Sequence, residues 1–471
     1  MLNQSFTADN FEKIYDIENR KSSITEYLGV EYKEVLVKIK SLQNEVSLIR
    51  RKKLSDRSDA KNQALIDNKQ NISKFIADKK EIQLNEFENI SKSVNNKNFR
   101  FNLQPTNDDI FVIQNTRDAF FAIKQLQYNV KKTFKVKQSS RHLILSQIKL
   151  LLNESSPKYV IRTDVSKFFE SILQDKLFDK INENTLLNIQ SKKFIRQILD
   201  EYNAKKNTTK IDIDKGVPRG VGISSYLSEL YMKDIDNQIK NMEDVVYYAR
   251  YVDDIFVVIS PKLPKKSVDN YFARIKQIVG HESLTLKDKG DNKCSLLDLS
   301  VPNMAETKIT YLGYTLYIKR QGNKTNVKFG LSEAKKDKIK NRIKLSFNHF
   351  NDTNKYGLKN SKNELLLTLR FLSSNTKLSG AKSRVKTGIF FSNDLLDNDC
   401  FSDIKEIDNF LRTQQVSFYD KFFQNQAQKL LCENRLKAFI DRNIVFEKGF
   451  SNKIYHAFSK DELRTIKNIL Q

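Results

Sequence analysis

Cysteine is scarce: the 471-residue chain has only Cys294, Cys400 and Cys432, and no two of them are close in sequence. That spacing excludes a disulfide scaffold and the close pairs that build zinc sites, and it predicts a reducing, cytoplasmic setting. Long apolar runs are missing as well. No stretch approaches the roughly 20 apolar residues that span a bilayer, and the opening Met1-Leu2-Asn3-Gln4-Ser5-Phe6-Thr7-Ala8-Asp9 lacks the basic-then-apolar layout of a secretory signal. Membrane and export roles are therefore not expected. The six prolines all fall between Pro105 and Pro302, which leaves both ends free to be helical throughout. The four histidines, His142, His281, His349 and His456, form no ligand-like cluster. Acid is the scarcer charge, with 57 Asp and Glu against 82 Lys and Arg and a formal net charge of +25. Such an excess points to a polyanionic partner, nucleic acid first. The hydrophobic fraction of 39% still supports a sizeable core, and the length predicts about three domains.

What is present divides the chain. The first hundred residues hold one glycine, Gly29, and from Val35 the apolar positions Val35, Ile39, Leu42, Val46 and Ile49 alternate steps of four and three. This is a helical stripe, too short for a coiled coil and suited to a helix of a hairpin. Residues 50–98 are mostly charged and amide residues and predict a solvated helix or arm. The centre has short β-rich runs at 159–163, 245–251, 255–259 and 309–316 between helical patterns, which predicts a mixed sheet with helices. After Phe329 the pattern is helical again, beginning at Leu331-Ser332, with Ile339, Ile343 and Phe347 on one face and lysines around it.

Tyr251-Val252-Asp253-Asp254 lies between two of these runs. Alone, two adjacent acids joining strands make a polar hairpin turn. Upstream, however, the run at 159–163 leads directly into Asp164. If the two strands are neighbours, Asp164, Asp253 and Asp254 converge, and such a cluster repels itself unless cations fill it. Two Mg²⁺ ions roughly 3.5–4 Å apart, or Mn²⁺ in their place, are what carboxylates in that arrangement hold for phosphoryl transfer. Between the acids lies Gly216-Val217-Pro218-Arg219-Gly220-Val221-Gly222, followed by a helical pattern from Ser224. By itself it is a tight loop into a helix; its glycines also let a backbone pass close to a bulky ligand.

Asp164 with Phe168-Phe169, the Gly-Val-Pro-Arg-Gly loop, Tyr251-Val252-Asp253-Asp254 and Tyr311-Leu312-Gly313-Tyr314 together resemble the successive palm motifs of reverse transcriptases, in order and at plausible spacing. The unbroken Gly216–Met232 segment most resembles the bacterial defence-associated, abortive-infection type. The resemblance covers about residues 100–330. It implies an α/β right-hand polymerase fold: an N-terminal helical region at 1–100, fingers and palm at 101–330, and a helical thumb and C-terminal domain at 331–471. It further implies Asp164, Asp253 and Asp254 as catalytic metal ligands. Val165, Phe169 and Gly220 would contact the nucleotide, with Phe169 beneath its sugar. Pro218, Arg219, Tyr251, Leu312 and Gly313 would contact primer or template.

Two features depart from the family pattern. Its loop usually has glutamine where this chain has Arg219, and its later Leu-x-Leu stretch appears as Leu284-Thr285-Leu286, whose following lysine is Lys287, Lys289 or Lys293. Upstream, no acid lies between Asp118 and Glu154, while seven cations do. That block is either a solvated basic face or the part of the fingers that holds the incoming triphosphate, with Arg141 first and Lys137 second. On the basic helix after Leu331, Lys336 and Lys340 would lie along a duplex backbone.

The leading expectation is a polymerase that makes DNA from dNTPs, on an RNA template or without one, in a bacterial antiphage system. A retron or mobile-element reverse transcriptase is the alternative in the same class. An inactive nucleic-acid-binding protein is the alternative from another, opposed by three intact acids that would only repel each other without metal. A dedicated non-coding RNA, a homo-oligomer and a partner defence protein stay open as associates.

Overall fold

A computed structural model describes residues 3–20, 24–51, 58–106, 110–183, 185–206, 214–262, 266–379 and 384–471. Met1, Leu2 and Pro264 lie outside them. The chain forms two compact units, one from Met1–Gln138, Ser166–Gln238 and Gln277–Thr285, the other from Ser139–Val165, Ile239–Lys276 and Leu286–Gln471. The divisions expected after residues 100 and 330 coincide with no boundary between them.

The first unit is mainly helical. Its helices Val30–Arg50 and Asp59–Val94 form the expected hairpin. Val35, Ile39 and Val46 are buried, while Leu42 and Ile49 are half-buried at the edge of the stripe. The long second helix buries residues only near its C-terminal end, at Gln83, Phe87, Ile90 and Val94, where Phe87 meets Tyr15 and Phe121. Its earlier turns are solvated, in line with their composition. A two-stranded ladder, β1 (Leu103–Pro105) with β2 (Phe111–Ile113), precedes the amphipathic helix Arg117–Phe134. Thr116 caps that helix by accepting from the Ala119 N–H.

The second unit is built on a sheet of β3 (Tyr159–Asp164), β4 (Val245–Tyr251), β5 (Asp254–Ile259) and β6 (Ser295–Asp298), in the order β4-β5-β3-β6. Every ladder in it is antiparallel. For β4 and β5 connectivity requires it, since two residues are too few for the crossover that parallel strands need. β3 is buried along its whole length, as its position between β5 and β6 requires. A second sheet is the meander β7 (Thr307–Tyr311), β8 (Tyr314–Gln321) and β9 (Lys324–Leu331). Its inner face joins Val160, Phe256 and Val258 in one core with Ile343, Phe347, Leu365 and Leu369 of the following helices.

Ser332 starts the helix Glu333–Thr353, as its sequence predicted, by accepting from the Lys335 N–H. A hairpin of β10 (Asn375–Ser379) with β11 (Arg384–Gly388) and the helices Ser402–Thr413, Gln426–Asn443 and Lys460–Leu470 complete the unit. The expected α/β architecture with helical flanks is therefore present. Among the described residues no helix is long and apolar enough to cross a membrane.

Candidate active site

The register of the first sheet builds the site. Asp164, the last residue of β3, stands directly opposite Asp254, the first of β5. Asp253 fills the two-residue turn with Val252, and the Val165 N–H donates to the Asp253 carbonyl at 3.0 Å, tying the turn to the end of β3. Val252 holds φ at +61°, a conformation costly for a β-branched residue and found where the surroundings enforce it. One carboxylate oxygen from each of Asp164, Asp253 and Asp254 lies within 4.8 Å of the others. Asp164 is buried and the other two are half-buried.

Three acids so close need counter-charge. Lys293 Nζ lies 2.8 Å from Asp164 Oδ2, and Arg162 Nη2 lies 2.7 Å from Asp254 Oδ1. Burial pushes the Asp254 carboxyl up; Asp164 and Asp253 push the same way, while Arg162 and Lys293 oppose them. The hydrogen bond to Asp164 raises Lys293 and keeps it protonated. Of the three lysines that sequence left open, Lys293 alone pairs with this cluster among the described residues. Lys287 pairs with Asp291 at 3.1 Å and Lys289 with Asp269 at 2.6 Å. The donor set is oxygen only, with neither thiolate nor imidazole, which suits Mg²⁺ or Mn²⁺.

The turn between β7 and β8 belongs to the same unit. Leu312 (φ +45°) and Gly313 (φ +78°) form it, and Tyr311 packs its ring on Phe256 at 5.1 Å, which connects the turn to β5. Arg141 was expected to hold a triphosphate. Its Nε instead donates to the Leu312 carbonyl at 2.7 Å, with Nη2 on the same oxygen. A Cβ at position 313 would meet that Nη2 at 2.3 Å, so glycine serves both the backbone conformation and the guanidinium. Lys335 lies beside them, its Nζ 4.4 Å from the centre of the Tyr314 ring and 2.8 Å from the Ser392 carbonyl. Burial, reinforced by Arg141, lowers Lys335 to about 7.

Tyr251 ends β4 opposite Asp254 and is half-buried. The Val165 side chain is buried, and its N–H is already engaged by Asp253.

The remaining expected residues lie in the first unit. Phe168 is buried but Phe169 only half-buried, so the adjacent rings do not both serve the core. The Gly216 and Val217 N–H groups donate to the Ile172 and Phe169 carbonyls, which lays the glycine loop along the Phe168–Ser171 turn. Arg219, at the family's glutamine position, pairs through Nε with Glu170 Oε1 at 2.6 Å, its guanidinium 6.0 Å from the Phe169 ring centre. Gly220 (φ +86°) lies so close to Phe111 that a Cβ would come 2.5 Å from its carbonyl oxygen. The Pro218 carbonyl accepts from the Ser224 hydroxyl at 2.6 Å. Exposed Lys137 lines a small recess with Lys131, Ser225 and Tyr226.

Lys336 and Lys340, expected on a duplex backbone, both clamp Glu406. Lys336 is buried and also holds Glu333 at 2.7 Å. Acids on a helix far along the chain divert these two lysines; Lys338 and Lys344 are the exposed ones. Sequence reasoning missed Arg162 and Glu170. Arg162 precedes Asp164 by two residues on one strand, so alternation alone puts both on one face.

Residues 88–316 match the profile of the family described as reverse transcriptase (RNA-dependent DNA polymerase). No curated protein matches the chain. Among solved structures it is similar to apo telomerase from Candida tropicalis truncated from its C-terminal domain, at 16% identity over 44% of this chain and 45% of that one, TM-score 0.30. Telomerase from Candida albicans in complex with a fragment of telomeric RNA matches at 12% identity over 73% and 53%, TM-score 0.31. Apo telomerase from Candida tropicalis matches at 13% over 74% and 57%, TM-score 0.30. The chain spans about half the length of these structures. The stretch that matches the family contains Asp164, Asp253 and Asp254 together with the loop at 216–222.

Proposed function

We propose that this protein is an RNA-directed DNA polymerase working by two-metal nucleotidyl transfer from dNTPs, in a bacterial antiphage defence system. The observation that carries the chemistry is the convergence of Asp164, Asp253 and Asp254 at the ends of adjacent strands inside the matched domain. Divalent ions held by these carboxylates would activate the attacking 3′-oxygen and neutralise charge on the leaving pyrophosphate. The chain's own residues set the geometry. Asp164 and Asp253 are held by strand end and turn, and Asp254 is anchored by Arg162. Lys293 supplies a fixed positive charge beside Asp164. By the resemblance, Phe169 would contact the sugar of the incoming nucleotide and the Leu312-Gly313 turn would contact the primer.

RNA template, DNA product and dNTPs are the partners this assigns, in a cytoplasmic setting. The defence role rests on the bacterial type that the Gly216–Met232 segment resembles and on the helical regions flanking the domain. A retron or mobile-element enzyme would be more compact around its polymerase.

Asp253→Asn tests the chemistry. It is expected to abolish dNTP incorporation on an RNA template while leaving folding and nucleic-acid binding intact, because it removes one of three mutually repelling acids. Undiminished incorporation would overturn the assignment. Sequencing the nucleic acid that copurifies, before and after adding dNTPs and Mg²⁺, identifies template and product, and phage challenge of cells with and without the Asp253→Asn variant tests the defence role.

A further inference from the structure

Alternation along the second sheet leaves a face that the polymerase chemistry does not use. Ile309, Leu316, Ile318, Val327 and Phe329 point into the core. On the opposite face Tyr317, in the central strand, stands across from Lys308 on one side and Lys328 on the other, and Lys319 stands across from Asn326. Lys319, Lys324, Asn326 and Gln321 are exposed and, with Tyr317 and Lys328, line a groove of about 450 Å³. Tyr317 is half-buried; a Cβ on Gly330 would come 2.8 Å from its Cε2, so the lack of a side chain there lets the ring lie along the sheet. The Lys308 ammonium sits 5.2 Å from the ring centre. The acids near this face are Glu306 on the groove's lining, Asp399, which pairs with Lys328 at 2.7 Å, and Asp403 and Glu333, whose charges act on Tyr317.

We propose that this face binds single-stranded RNA. A half-exposed aromatic ring between rows of lysines is what a single strand needs: a surface for one base and cations for the phosphates on either side. The lysines are spread over three adjacent strands, Lys308 on β7, Lys319 on β8 and Lys324 and Lys328 on β9, so they line an extended backbone and do not gather into a point site. The Gln321 and Asn326 amides offer hydrogen bonds to base edges and to the 2′-hydroxyl, which commits the face to RNA over DNA. An acidic peptide would satisfy the lysines but leave the ring and both amides without a partner. The site is separate from the carboxylate cluster, and the binding it predicts requires neither dNTP nor catalysis.

The test is fluorescence anisotropy of a labelled 20-nucleotide single-stranded RNA of mixed sequence on the full chain, without nucleotides, with and without excess unlabelled primer–template duplex. RNA binding is expected to persist in the presence of the duplex. Tyr317→Ala should weaken it about tenfold, within the range for loss of one stacked base, and Tyr317→Phe should leave it unchanged. The Lys319→Gln, Lys324→Gln double variant changes only exposed side chains. It should flatten the slope of log affinity against log salt by about 1.4, or roughly 0.7 per phosphate. The corresponding DNA oligonucleotide should bind several-fold more weakly. Unchanged affinity and slope in both variants, or complete displacement of the RNA by the duplex, would overturn the site; equal binding of DNA would overturn its assignment to RNA. Incorporation assays on the same variants should match the wild type. A polymerase that proved inactive would leave these binding results standing.

Discussion

Arg162 reaches diagonally across the sheet to Asp254, Nη2 to Oδ1 at 2.7 Å, from a side chain only 6% exposed. It is a buried cation in a site made of acids, and its removal leaves Asp254 in low dielectric beside Asp164 and Asp253. Breaking a buried pair by deleting one partner costs about 3–5 kcal/mol. Arg162→Met should therefore lower the unfolding free energy by about that amount, measured by urea denaturation in EDTA. Millimolar Mg²⁺ should restore part of the loss and stabilise this variant more than the wild type. A variant as stable as the wild type in EDTA would mean that the pair contributes nothing.

Arg141 is exposed yet bound to the Leu312 carbonyl, and this separates two roles. If it positions the turn, Arg141→Ala should weaken primer–template binding about tenfold and leave the KM for dNTP within about twofold. Arg141→Lys, which lacks the guanidinium fork, should recover little of the binding. A large rise in the dNTP KM with unchanged primer affinity would return Arg141 to the triphosphate role.

Lys335 predicts a pH dependence. Its folded value of about 7 lies below its ordinary 10.5, so between these limits the unfolded chain holds more protons than the folded one. The penalty for burying its charge is full below about pH 7 and disappears as the pH rises toward 10.5, and stability from this group therefore increases with pH. Lys335→Met should flatten the rise in unfolding free energy between pH 7 and 9, followed by denaturant titration at each pH. Identical slopes in the two proteins would exclude the effect.

Phe169 predicts sugar discrimination. If it lies beneath the sugar, as the resemblance implies, its ring would clash with a 2′-hydroxyl and offer it no partner. Phe169→Ala should narrow the ratio of dGTP to GTP incorporation, whereas equal use of both by the wild type would defeat DNA synthesis as the activity.

The helix Glu333–Thr353 predicts two different phenotypes for its lysines. Lys344 is exposed, and Lys344→Gln should reduce the salt slope of duplex binding by about 0.9 without changing stability. Lys336→Gln should destabilise the fold, because Glu406 keeps only Lys340 and Asp403 and Glu333 lose the buried ammonium beside them, and should leave the slope unchanged. The reverse pattern would show that the helix presents its other side.

The three acids were legible in the sequence because each is a local punctuation mark: a β-rich run ending in Asp, and a two-residue turn between two runs. The helical stripe at Val35–Ile49 and the cap at Ser332 were legible for the same reason, since both depend on neighbours within a few residues. Arg162 was within reach by strand alternation alone. The contacts that escaped all join distant segments. Lys293 reaches Asp164 only because the chain after Leu286 returns alongside β3, where the Lys287 N–H donates to the Asp164 carbonyl at 2.8 Å. Glu406, which diverts Lys336 and Lys340, and Leu312, which takes Arg141, come from parts of the chain that no spacing connects to their partners.

The interleaving of the two compact units governs how the molecule can be made. β3 finds β5 only after the chain has run from residue 164 to 254, and β6 closes its other edge some forty residues later. The first unit, begun at the N-terminus, awaits residues 277–285. A nascent chain on the ribosome therefore carries the apolar β3 unpaired until β5 has been made, with contacts of high sequence separation that fold slowly. No truncation between residues 165 and 285 leaves either unit whole, so proteolytic fragments ending there should be insoluble when expressed alone.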